Sequence, residues 1–176
     1  MNELDLLLER WANFYLMTSA AAATLIGLLF VVITLAAERR VKEADGTAKI
    51  RVYLTPTVIC FASVLEAAAL LTFPNHTRLT AFLCICLVGV VGLIYSGSIL
   101  VGHYKKSYVE WHDLIPHADL PFAAYGLLVF GGVLLLHDTQ CGLTFVAVGM
   151  LSLFIIGIRN SWAIAVGIVS TRPGRH

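Results

Sequence analysis

The run FYLMTSAAAATLIGLLFVVITLAA, Phe14–Ala37, decides the fold class: it is 24 residues long and carries no charge. At about 1.5 Å per residue a helix of that length reaches roughly 36 Å, against roughly 30 Å for the hydrocarbon core of a bilayer. A signal-peptide core needs only roughly 7–15 residues and has its basic flank in front. Here the flank, Arg39-Arg40-Val41-Lys42, follows the run. The stretch therefore reads as a spanning helix retained in the mature protein.

Four more stretches meet the same length test: Thr55–Phe73, Leu79–Val101, Leu120–Leu136 and Cys141–Ile158. The last either stops at Arg159 or continues through Trp162 to Val169. Unsatisfied backbone groups in lipid cost several kcal/mol each, so apolar runs of this length are expected as helices. Composition agrees, because 59% of the 176 residues are apolar and 13% charged, whereas soluble domains carry about a quarter charged residues. The expectation is an all-α polytopic transmembrane bundle with five spans, a single integral membrane domain over residues 1–176.

Basic residues orient it. Ten of the 12 Lys and Arg residues fall on one side in a five-span arrangement: Arg39, Arg40, Lys42, Lys49, Arg51, Lys105, Lys106, Arg159, Arg172 and Arg175. Only Arg10 and Arg78 fall on the other. The positive-inside rule then puts the N-terminus outside and the C-terminus in the cytoplasm. A net charge of +1 gives no field for nucleic acid.

Local signals mark the helix ends. Pro56 and Pro121 are expected near the starts of the second and fourth helices, where a missing N–H costs little. Asp119 is expected as an N-cap. Pro74-Asn75-His76 and His137-Asp138-Thr139-Gln140 read as tight turns. Two amphipathic pieces, Leu4/Leu7/Leu8/Trp11 and Tyr104/Tyr108/Trp111/Ile115, are expected as helices lying in the membrane interface.

Several short patterns recur in a familiar order: Trp11-Ala-Asn-Phe-Tyr15, Ala20-Ala-Ala-Ala-Thr-Leu-Ile-Gly-Leu-Leu-Phe-Val31, Leu70-Leu-Thr-Phe-Pro74, Leu120-Pro-Phe-Ala-Ala-Tyr125 and Gly157-Ile-Arg-Asn-Ser-Trp162. In these the chain resembles a group of small bacterial multi-pass membrane proteins. That group combines an aromatic pair before an Ala-rich GLLFV helix with an Asn-Ala-Trp-like element near the C-terminus. Ser161 stands where the pattern has a small residue such as alanine. The resemblance touches four of the five helices. It implies a shared fold and the bacterial inner membrane, and it carries no activity.

Chemistry-bearing residues are few. Glu66 is the one charge clearly inside a span, about 10 Å below the outer boundary when counted back from Phe73. Its helical neighbours Ala62, Ser63, Ala69 and Leu70 form a mostly small face. A carboxylate there is expected to be protonated, paired or facing a wet cavity. It serves either a pore or proton path, repeated as a ring in a homo-oligomer, or a hydrogen bond to a neighbouring helix. Arg159 and Asn160 form the second polar site, either at the cytoplasmic interface or in the inner leaflet.

Metal and catalytic signatures are weak. Cys60, Cys84, Cys86 and Cys141 lack paired metal or redox spacing and read as small buried hydrophobes. A Cys84–Cys141 bridge is a minor alternative. His112 and His117 are poorly placed for a shared ligand, with Pro116 between them, and His76, His103 and His137 fall near span ends. Neither a phosphate loop, a nucleophile elbow nor a zinc helix is present. Ala23/Gly27, Gly92/Ser96, Ser98/Gly102 and Ala163/Gly167 are small pairs four apart that allow close helix approach, within one subunit or between subunits.

No cofactor, metal or enzymatic activity is expected. The preferred expectation is a homo-oligomer in the inner membrane that permits passage of an ion, proton or small solute. An accessory or scaffolding subunit bound to another membrane protein is the alternative.

Overall fold

The computed structural model describes residues 3–39, 46–74, 77–104 and 119–170. Among these are five helices: α1 (Glu3–Arg39), α2 (Gly46–Leu71), α3 (Arg78–Tyr104), α4 (Leu120–Leu134) and α5 (Thr139–Ser170). Three contain segments long and apolar enough to cross a membrane: Leu6–Thr34, Arg78–Val101 and Thr139–Ala163. The apolar segments Thr55–Leu71 and Leu120–Leu134 are shorter.

Several boundaries differ from expectation. The N-terminal amphipathic piece is no separate interfacial helix. It is the first turns of α1, which runs unbroken for 37 residues, about 55 Å. Leu4 is buried, and Leu7, Leu8, Trp11 and Phe14 pack against the core. A three-four apolar repeat suits an interface helix or a protein-facing stripe equally, and no Gly or Pro separates this one from the spanning run. The second amphipathic piece, including Trp111, and the pair His112/His117 lie outside the described residues.

Pro56 sits inside α2 rather than at its start. It leaves the carbonyl four residues earlier without its usual donor, a loss that neighbouring helices and polar side chains can absorb. Pro121 does occupy the first turn of α4, but Asp119 is helical (φ −70°, ψ −42°) and makes no side-chain cap bond. The real caps lie elsewhere. Thr77 Oγ1 accepts from the Thr80 N–H at 3.2 Å, and the Thr77 N–H donates to Thr80 Oγ1 at 2.9 Å. This reciprocal pair closes the start of α3 as a capping box does. Asp138 Oδ1 accepts from the Cys141 N–H at 3.0 Å and caps α5.

Around α2, α1, α3 and α5 are all packed, while α4 fills the space between α3 and α5. α4 runs antiparallel to both α3 and α5, and only six residues separate α2 from α3, so the chain reverses there as well. Along α3 and α4, Gly132 faces Cys86 and Ile85, Gly89 faces Val129, and Gly92 lies against the Tyr125 ring. The tightest crossing joins α4 to α5. A methyl group on Gly131 would lie 2.7 Å from the Val146 backbone nitrogen, and one on Gly142 would lie 2.7 Å from that of Leu135. Only glycine lets the two backbones meet there.

Of the four anticipated small pairs, Gly92 and Ser96 pack within the chain, both buried. Ala23 and Gly27 are exposed, with open space beyond Gly27. Ser98 and Ala163 are exposed as well, and the surroundings of Gly102 and Gly167 lie outside what the structure describes.

The Asp138 cap gives a pH-dependent term. Hydrogen bonds from the Cys141 and Gln140 backbone hold this exposed carboxyl below the ordinary carboxylate range. A carboxyl depressed on folding contributes stability above its unfolded value, about 3.9, and that contribution disappears as pH falls through the lower folded value. Thermal unfolding in detergent should show Asp138→Ala less stable than wild type at neutral pH. The difference should shrink as the carboxyl protonates in acid, and Asp138→Asn should retain the cap without that pH dependence.

Candidate functional site

The bundle encloses a row of polar side chains on α2. Thr57, Cys60 and Ser63 are buried, and Glu66 follows at the same three-residue interval. Ser63 Oγ and Tyr125 OH are 2.9 Å apart in a buried hydrogen bond between α2 and α4. The Cys60 thiol lies beside the same Tyr125 side chain. A tyrosine reaches this position because Gly92 on α3 leaves its ring room. The sequence points to none of these contacts directly. Gly92 four before Ser96 was a visible signal, whereas the partner that fills the space at Gly92 depends on the α3–α4 register.

Glu66 is exposed on the surface of the chain. It is not sealed between helices of one subunit, so a hydrogen bond within the bundle core does not describe it. Ala69, one turn on, is exposed too. These residues lie on the side of α2 left open between its neighbours.

Packing sets the depth of Glu66 more securely than counting back from the end of its own helix. Phe61 meets Phe154, with ring centroids 5.7 Å apart, and its ring also fills the space beside Gly157. α5 therefore places Phe61 some fifteen residues from Thr139, and Glu66 is five residues nearer that end. The carboxylate comes out about 15 Å along the bundle from Thr139. That is deeper than the 10 Å expected from sequence, because α2 ends below the tip of the α4–α5 hairpin.

The second polar pair splits. Helix α5 continues past Arg159 without a break, which closes the question of where it ends. Asn160 is buried at 4% exposure and Arg159 is exposed. Successive residues on a helix diverge by about 100°, so only one of the two can face the bundle. Arg159 lies twenty residues from Thr139, about 30 Å, and its level on α2 is about 15 Å from Glu66. A direct Glu66–Arg159 pair is therefore not assembled.

Two further polar atoms are buried, Tyr15 OH and Thr139 Oγ1, and neither has a hydrogen-bond partner among the described residues. All four cysteines are free, so no Cys84–Cys141 bridge forms. They do not share one environment: Cys60 is buried, Cys84 and Cys86 are half-buried, and Cys141 is exposed. The expectation of four buried hydrophobes holds fully for Cys60 alone. Among the described residues no three His, Cys, Asp or Glu side chains gather as a metal site. No family model, curated protein or solved structure matches the chain.

Tyr125→Phe should destabilise the bundle by about 1–3 kcal/mol, because Ser63 loses its buried partner. Combined with Ser63→Ala, the loss should be smaller than the sum of the single losses, as for residues in one network. Denaturation in detergent, read by circular dichroism, checks both; strict additivity would deny the coupling.

Proposed function

We infer that the chain crosses the bacterial inner membrane five times, N-terminus outside and C-terminus cytoplasmic. In this reading it assembles with copies of itself to permit passage of an ion, proton or small solute. The outward position of Glu66 carries the reading. An acidic side chain near the bilayer centre costs roughly 3 kcal/mol on insertion scales, so an outward one needs a partner surface or a wet path. A second copy meeting α2 on the Glu66–Ala69 side supplies both.

The five-span arrangement draws support from packing. α4 is shorter than the three long apolar helices, yet it lies antiparallel beside α3 and α5 over its whole length. It thus shares their depth, and a short span can be accommodated by local thinning of the bilayer. Twenty residues separate Thr139 from Arg159, which brings the exposed guanidinium to the opposite boundary, where it can snorkel. The clustering of ten basic residues on one side orients the whole. The resemblance to small bacterial multi-pass proteins supports the compartment.

A second reading has its own observation. α1 presents Ala20, Ala23, Thr24 and Gly27 on an exposed face with open space at Gly27. Such a small-residue face also suits docking of a different membrane protein. The chain would then be an accessory subunit without transport activity.

Purified protein in liposomes should pass at least one of K⁺, Na⁺, Cl⁻, H⁺ or a small neutral solute, and Glu66→Gln should abolish that flux while leaving the oligomer intact. Absence of flux for all of them, with a different membrane protein co-purifying in fixed ratio, would favour the accessory reading.

A further inference from the structure

We propose that the permeant species is the proton, and that Thr57, Cys60, Ser63 and Tyr125 form the half of its path that joins the Asn160 end of the bundle to Glu66. This rests on the reading of Glu66 as the passage site and names what passes.

Four observations meet on one helix. Thr57, Cys60, Ser63 and Glu66 follow one another at every third position of α2, about 4.5 Å of rise each and about 14 Å in all. The first three are 0%, 2% and 8% exposed, whereas Glu66 is exposed. Three residues turn a helix about 60° short of a full circle, so the row winds from the interior outward and surfaces at the carboxylate. Tyr125, 1% exposed on α4, hydrogen-bonds Ser63 and lies beside the Cys60 thiol, between two levels of the row.

The inner end of the row is polar as well. The meeting of Phe61 with Phe154 and Gly157 puts Thr57 level with Asn160 and Ser161, and Asn160 is buried. At the same level α5 carries the exposed Arg159, about 30 Å from Thr139. Hydroxyls, a thiol and a carboxamide thus line the interior from that boundary to mid-depth, whereas the other buried polar groups, Thr18, Ser96, Thr139 and Tyr15, are scattered over three other helices. Buried polar groups are expensive unless satisfied, and a bundle that needed only to pack would place alanine, leucine or valine there.

These groups are suited to hydrogen-bonded protons and poorly suited to a metal ion. None of the buried members carries a carboxylate, and a thiol and a phenol are weak ligands for Na⁺ or K⁺. Each transfer moves one proton and no electron. A hydroxyl or thiol gains a proton from the neighbour behind it as it gives its own to the neighbour ahead. The Glu66 carboxylate forms the last O–H bond, and it releases that proton into the contact between copies. Water entering beside Asn160 supplies the protons and bridges any gap wider than a hydrogen bond.

The test uses the full chain in phosphatidylethanolamine–phosphatidylglycerol vesicles with a pH-sensitive dye inside and a K⁺ diffusion potential set by valinomycin. Proton flux should vanish in Glu66→Gln and fall about tenfold in Tyr125→Phe and in Ser63→Ala, the scale of one lost buried hydrogen bond. Ser63→Thr, which keeps the hydroxyl, should restore flux. Wild type should run more slowly in D₂O, a readout that holds even where a variant fails to fold. Glu66-dependent proton flux that is unchanged in Tyr125→Phe and insensitive to D₂O overturns the relay and leaves the Glu66 reading standing. Glu66-dependent flux of K⁺, Na⁺ or Cl⁻ without protons does the same. No flux of any species overturns both.

Discussion

Close backbone approach at α4 is the constraint on which the rest of the bundle depends. Gly131 and Gly142 let α4 and α5 meet where any side chain would strike a main-chain nitrogen. Hydrocarbon offers no hydrophobic drive between helices, so packing at this range is what can hold an apolar bundle together. The same closeness on the other side of α4 seats the Tyr125 ring against Gly92. That fixes its hydroxyl at Ser63, and with it the polar interior of α2.

The position of α2 follows from this. It is held by α1, α3 and α5, and its buried row of Thr57, Cys60 and Ser63 turns toward the protein. Glu66 then turns away from it. The outward carboxylate is a geometric consequence of a three-residue interval on a helix of 3.6 residues per turn. An outward Glu at this depth makes little sense for an isolated subunit in lipid, and this ties packing to the proposed assembly.

Much of the fold was legible in residue runs. Phe14–Ala37 and Leu79–Val101 announce their helices by length alone, and Gly92/Ser96 announced a close contact. Boundaries were harder. Pro56 looked like a start because proline is tolerated in a first turn, yet α2 has ten residues before it. Asp119 and Asp138 both precede helices, and only the local backbone decides which side chain can turn back to cap. Glu66 and the pair Arg159/Asn160 were recognisable as polar residues in apolar surroundings. Which way each points was not recognisable, since helix rotation is set by partners that one sequence does not name. Tyr125 went unnoticed as a site residue because an aromatic in an apolar run ordinarily marks packing or a membrane interface.

The central claim is that Glu66 faces another copy of the chain within the membrane. The most direct measurement is the dipolar coupling between spin labels in lipid nanodiscs, with Glu66→Cys placed in a chain whose four native cysteines are alanine. A label at exposed Val91 on α3 gives the comparison for a surface turned to lipid. The account predicts strong coupling between copies at position 66, and protection there from lipid-borne quenchers that reach position 91. Labels at position 66 that show no coupling and are quenched as readily as those at position 91 would contradict it.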